Sequence, residues 1–151
     1  MNIVMCDGGL ANRLNALLFA LILRRKFGHE WRIAWPLNNW CGAPLKSLFD
    51  APLPVDELPL SHFRQNDSRL MLMQENQLDF PAERYVHHHG LKSYDDYRPF
   101  LDQPEGIVYF NNLIPAWVPA ADVHAALASL TIQRDVAARA WDFCVEHRID
   151  G

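Results

Sequence analysis

Apolar positions along the chain fall into short unbroken runs and helically spaced stripes, and these predict strand and helix in alternation from the N-terminus. Ile3–Cys6 is a brief apolar run without polar alternation, the pattern of a strand covered on both faces. Leu14, Leu17, Leu18, Leu21 and Ile22 then recur at helical spacing. Arg24, Arg25 and Lys26 suit the negative end of that helix's dipole, and Gly28 is a natural left-handed residue to close it. A second strand follows in Trp31-Arg32-Ile33-Ala34-Trp35, stopped by Pro36. Strand, helix and strand in this order form one βαβ unit, for which a right-handed crossover and parallel strands are expected.

Beyond Pro36, Leu37-Asn38-Asn39-Trp40-Cys41-Gly42-Ala43 reads as a loop at the end of the second strand. Leu45, Leu48 and Phe49, behind Pro44, mark a short helix. Ala51–Gly106 carries many prolines and scattered charge, with modest strand candidates at Arg69–Met73 and Arg84–His87. Ile107–Phe110 is a clearer strand and runs into Asn111-Asn112. Pro119 with Asp122 opens one helix, and Val136, Ala140, Phe143 and Cys144 fit the inner face of another. There is no internal repeat. The pattern predicts an α/β domain with a mainly parallel sheet over residues 1–151. The chain stops after an amphipathic helix, where such a protein is expected to continue with a strand, so the expectation is the N-terminal portion of a longer protein.

Composition narrows the class of function. The 151 residues suffice for one domain with a real core, half of them are hydrophobic, and the formal net charge is −4. That balance argues against a nucleic-acid binder relying on bulk positive charge, while leaving room for a local phosphate site. Cys6, Cys41 and Cys144 are odd in number, far apart and in apolar surroundings, which is neither a disulfide framework nor a zinc pattern. Reduced thiols in the cytoplasm are expected. The first residues lack the cationic start of a signal peptide, and Leu14–Leu23 is too short to span a bilayer.

The densest chemistry lies in Asp7-Gly8-Gly9-Leu10-Ala11-Asn12-Arg13, between the first strand and the long helix. Strand, glycine turn and helix N-terminus together present backbone N–H groups to a phosphate, and Asn12 and Arg13 add an amide and a fixed cation. Two readings stay open. Either Gly8, Gly9, Leu10, Ala11, Asn12 and Arg13 bind a phosphate-bearing ligand, or the turn is structural, with Asn12 capping the helix and Arg13 at the surface. The turn lacks the Gly-Lys-Ser/Thr of a Walker loop and the further glycines of a dinucleotide fingerprint. His87-His88-His89 cannot converge on one metal from a regular strand, whose successive side chains point to opposite faces. Asp95 and Asp96 read as solvated loop carboxylates. Among the tryptophans, Trp31, Trp35 and Trp141 fit a core by periodicity, and Trp40 and Trp117 fit ligand contact.

Residues 8–50 resemble the N-terminal region of fucosyltransferase-like glycosyltransferases, the group of the α-1,2-, α-1,6-, nodulation and protein O-fucosyltransferases. The resemblance is carried by Gly8-Gly9-Leu10-Ala11-Asn12-Arg13-Leu14, the Leu/Ala-rich helix, Arg32-Ile33-Ala34-Trp35-Pro36, Asn39-Trp40-Cys41-Gly42-Ala43 and Leu48-Phe49-Asp50. Ala11 stands where the group usually has a third glycine. The resemblance implies a Rossmann-like three-layer domain forming the N-terminal half of a two-domain enzyme of GT-B type. It also implies inverting transfer of fucose from GDP-fucose to a glycan or other hydroxyl acceptor, with no obligatory metal or other cofactor. Asn12 would then lie near the donor diphosphate, and Arg13 matches the basic or amide position that follows it. The group's H-x-R strand belongs to the later half, and His147-Arg148 sits at a helix end.

Such chemistry suits the turn, because breaking a sugar–phosphate bond builds negative charge that preorganised N–H donors stabilise. None of these residues stands out as the general base for the acceptor hydroxyl. The expected partners are a nucleotide-sugar donor and a carbohydrate acceptor, with no nucleic acid and no transmembrane segment. Two alternatives remain: a non-catalytic module that binds nucleotide sugars or glycans, and a different α/β nucleotide-binding enzyme.

Overall fold

The computed structural model describes residues 2–6, 8–37, 41–56, 85–86, 90–104, 106–110 and 113–147. The strand–helix–strand unit predicted at the N-terminus is present as β1 (Asn2–Met5), α1 (Leu10–Phe27) and β2 (Trp31–Ala34). Gly28 closes α1 in the left-handed conformation at φ 77°, its N–H donating to the Arg24 carbonyl at 2.8 Å. Later come β3 (Phe49–Asp50), β4 (Val55–Asp56), β5 (Tyr85–Val86), α2 (Arg98–Leu101), β6 (Val108–Phe110), α3 (Ala120–Leu127), β7 (Thr131–Ile132) and α4 (Arg134–Glu146).

Among the described residues five strands form one parallel sheet in the order β4-β2-β1-β6-β5. Its register places Val55, Ile33, Val4, Tyr109 and Val86 in a single row across all five strands. Ile33, Val4 and Tyr109 in that row are fully buried. Residues one step along each strand face the other way, and there Ile3 and Arg32 are half-buried while Met5 and Ala34 are buried. At the start of β1 the buried Asn2 side chain accepts the Ile107 N–H at 3.0 Å, which locks β1 to the strand 105 residues later.

Helix α1 is covered more completely than an amphipathic stripe requires, since every residue from Ala16 to Leu23 is buried. A helix apolar all round must be enclosed all round. The sheet covers one side and α3 packs on another. Phe19 meets Tyr109 of β6 at 5.1 Å between ring centroids, Tyr97 at 5.2 Å and Trp117 at 6.1 Å. Contacts of this kind add about 0.5–1.5 kcal/mol each beyond the area they bury. Trp117, expected to face a ligand, is therefore part of the packing, and its indole N–H donates to the Leu91 carbonyl at 3.0 Å.

The α/β class and the parallel sheet are as expected; the three-layer arrangement is not shown. Among the described residues α1 packs on the sheet and α3 packs on α1. The short helix behind Pro44 reduces to a 3-10 turn, Leu45–Ser47, because Phe49 leaves it to pair in β3 with Ile132 of β7. The candidate strand Arg69–Met73 lies outside the described residues, whereas Tyr85–Val86 within Arg84–His87 is β5.

Helix α4 departs furthest from expectation. It has no buried residue: Val136 and Cys144 are half-covered, while Ala140 and Phe143 of the expected inner face are exposed. Trp141, expected in the core, is 70% exposed. The helix is held at its start, where the Gln133 N–H donates to the Leu48 carbonyl at 2.9 Å and its side chain to Asp50 Oδ1 at 3.0 Å. Leu48-Phe49-Asp50 is thus the anchorage of α4.

Candidate functional site

β1 is the central strand, and the chain leaves it in one direction through β2 and β4 before returning to its other side as β5 and β6. The C-terminal end of β1 is therefore a topological switch point, the place where open parallel sheets form a ligand crevice. The glycine turn sits there. Gly8 occupies the left-handed region at φ 81°, and a Cβ on it would lie 3.1 Å from Asn12 Nδ2 and 3.4 Å from Asn12 Cβ. The backbone thus favours glycine at this position, and a Cβ would also make the Asn12 side chain give way.

Gly9 differs. At φ −69° and ψ 165° any residue could occupy it, and a Cβ would meet nothing within 4 Å. The fold asks here only for an N-cap, which glycine serves and a short polar side chain would serve as well, whereas a ligand approaching the backbone needs the side chain absent. Gly9 is the N-cap of α1, with no side-chain hydrogen bond capping the helix and no acidic residue in the first turn. The Gly9 carbonyl accepts the Arg13 N–H at 3.1 Å, so the N–H groups of Leu10, Ala11 and Asn12 precede the first intrahelical bond. Leu10 and Ala11 are exposed and Asn12 half-buried, so this positive helix end opens to solvent.

Asn12 lies inside α1, its amide against Gly8, and is not the cap that the structural reading gave it. Nor is Arg13 at the surface, for it is 0% exposed and its guanidinium points inward. Arg13 Nε donates to the Gly8 carbonyl at 2.7 Å and Nη1 to the Pro36 carbonyl at 2.6 Å, with the group 4.9 Å from the centre of the Trp35 ring. The Trp35 indole N–H donates in turn to the Ala43 carbonyl at 2.9 Å. Two segments of the sequence motif, the glycine turn and the stretch after β2, are thereby joined through one buried cation. The sequence motif alone suits a ligand contact or a surface arginine; the signal for burial is its place one turn into an otherwise apolar helix.

Asn39 and Trp40 lie outside the described residues, as do His87, His88 and His89. Asp95 and Asp96 serve a turn. Asp96 accepts the N–H groups of Lys92 at 2.6 Å and Ser93 at 3.0 Å, bonds that hold its carboxyl below the ordinary range, and Asp95 lies 3.4 Å from Arg98. Cys6 is buried at the end of β1, and none of Cys6, Cys41 and Cys144 is in a disulfide. Among the described residues no helix is long and apolar enough to cross a membrane.

Comparison with known proteins places the fold. No protein-family model matches the chain, and no curated protein matches it significantly. Among solved structures, the crystal structure of the fucosyltransferase NodZ from Bradyrhizobium superposes with a TM-score of 0.52 at 12% identity. The match covers 98% of this chain and 56% of that one, so the chain spans little more than half of its neighbour's length. The chain thus has an α/β fold distantly like that of a fucosyltransferase.

Proposed function

We propose that this chain is the N-terminal half of a fucosyltransferase-like glycosyltransferase of the GT-B type, with its glycine turn at the nucleotide-sugar cleft. The observation that carries the reading is the uncapped, solvent-open start of α1 at the switch point of a fucosyltransferase-like sheet. The donor is GDP-fucose and its diphosphate rests over Gly8 and Gly9, against the N–H groups of Leu10, Ala11 and Asn12 and the Asn12 amide. Arg13 supports the same charge from beneath the turn. As the sugar–phosphate bond breaks, negative charge grows on the departing diphosphate, and donors fixed in advance stabilise it without reorganising. Transfer proceeds with inversion to a glycan or other hydroxyl acceptor, without an obligatory metal, in the cytoplasm. The remaining machinery, including the acceptor's general base, belongs to a second half.

Calorimetric titration of the full-length protein with GDP-fucose, together with turnover on a glycan acceptor, tests this. Asn12→Ala is expected to weaken donor binding by about tenfold. Unchanged affinity and turnover in both Asn12→Ala and Arg13→Ala would overturn the site, and donor binding without turnover would favour a non-catalytic binding module.

A further inference from the structure

We propose that Arg13 is a positioning residue: by holding the Gly8 carbonyl inward it turns the Gly9 N–H outward, as the leading donor to the diphosphate. The inference rests on the anion-binding reading of the turn. A trans peptide is planar, and its C=O and N–H point in opposite directions. Among the described residues there is no cis peptide. Arg13 Nε fixes the Gly8 carbonyl at 2.7 Å from a buried side, so the N–H at the other end of that peptide faces away from the guanidinium. Among the described residues the Gly9 N–H has no hydrogen-bond partner. It also stands ahead of the N–H groups of α1, beside the open space where Gly9 lacks a side chain.

The second arm of the fork makes the arrangement rigid. Nη1 bonds to the Pro36 carbonyl, 23 residues away, and the guanidinium faces the Trp35 ring, so the plane of the Gly8–Gly9 peptide is referred to the end of β2. A planar guanidinium reaches two carbonyls in fixed directions; an ammonium is a point charge on a flexible stem and cannot hold both. Arg13 acts through Gly9 and touches no ligand.

Inorganic pyrophosphate is the probe, followed by amide NMR on the full chain. In the wild-type protein the Arg13 Nε–H is expected to exchange with water at least tenfold more slowly than an exposed arginine. Pyrophosphate is expected to shift the Gly9 amide more than those of Leu10–Asn12. Arg13→Lys and Arg13→Met are both expected to weaken pyrophosphate by tenfold or more at a temperature where each is folded. Asn2→Ala, which loses a buried bond at the far end of β1, is expected to lower stability and leave pyrophosphate affinity unchanged. An Nε–H exchanging at the exposed rate, an unshifted Gly9 amide, or full affinity in Arg13→Lys would each overturn the proposal; the first two need no variant to fold. Pyrophosphate binding that obeys these expectations without any affinity for GDP-fucose would support the role of Arg13 and sink the donor assignment.

Discussion

Gly8 and Gly9 are adjacent and chemically identical, yet the structure asks different things of them. Gly8 is held at φ 81° with Asn12 Nδ2 where a Cβ would crowd it, whereas Gly9 has an ordinary φ and open space. Gly8→Ala is therefore expected to cost about 1–3 kcal/mol of stability in urea unfolding. Gly9→Ala is expected to cost less than that, about 1 kcal/mol or below from the poorer N-cap, while weakening pyrophosphate several-fold, because the methyl stands in the ligand's approach. Equal losses of stability in both would remove the distinction. Tyr109 offers a second contrast. Its hydroxyl is buried with no partner among the described residues, and burial drives its ionisation well above the ordinary phenol range. A folded-state value above the unfolded one of about 10 gives stability that is complete below that pH and lost as pH rises through the folded value. Tyr109→Phe should unfold within about 1 kcal/mol of wild type at pH 7 and tolerate alkaline pH better. Arg13 shows why the residue scale resists reading from sequence. Hydropathy treats an arginine in a polar motif as solvated, and carbonyls that help make its burial tolerable come from Gly8 and Pro36, whose spacing carries no such signal.

Between elements, the junction of α1, α3 and the Tyr94 turn depends on one carboxylate. Asp122 Oδ2 accepts the Tyr94 hydroxyl at 2.6 Å and lies 3.1 Å from Lys26 Nζ, which in turn sits 4.8 Å from the centre of the Tyr94 ring. The Tyr94 hydrogen bond, then Lys26 and Arg25, hold the Asp122 carboxyl below its usual range. A folded-state value below the unfolded one of about 3.9 makes the contribution present above that pH and lost as pH falls through the folded value. The side chain is 21% exposed, so the contribution is on the order of 1 kcal/mol or less. In urea midpoints measured across pH, Asp122→Asn should lie below wild type at pH 7 and converge with it in strong acid; parallel curves would contradict this. Elements that were legible in the sequence share a property: their signal is local. The apolar run of β1, the basic end of α1 and Gly28 each depend on neighbours within a turn or two. Helix α4 was legible as a helix, and its surroundings were not, because an amphipathic pattern says that a face favours cover and says nothing of what supplies it. Trp117 failed similarly, since its partners Phe19 and Tyr97 are far away in sequence.

For the molecule as a whole, core and periphery are held by different means. The row from Val55 to Val86, with α1 enclosed above it, unites segments as far apart in sequence as Val4 and Tyr109. Helix α4 adds Trp141, Phe143 and Val145 to the surface and no buried residue to the core. Trp141→Ser with Phe143→Ser should accordingly leave the thermal midpoint within a few degrees of wild type and raise solubility. A collapse of the midpoint would mean that the face is packed in solution. The sheet order also has a kinetic side. Because β1 is central and its second neighbour, β6, is reached only at Val108, synthesis at about 5–20 residues per second leaves the first strand waiting roughly 5–20 s for that partner. Protease protection of stalled nascent chains is expected to begin only after β6 has cleared the ribosome, and protection of chains ending before Val108 would refute it. Until then the apolar edge of Ile3–Met5 is open to strands of other chains, so the N-terminus is where a slow ribosome or a missing chaperone would turn folding into aggregation.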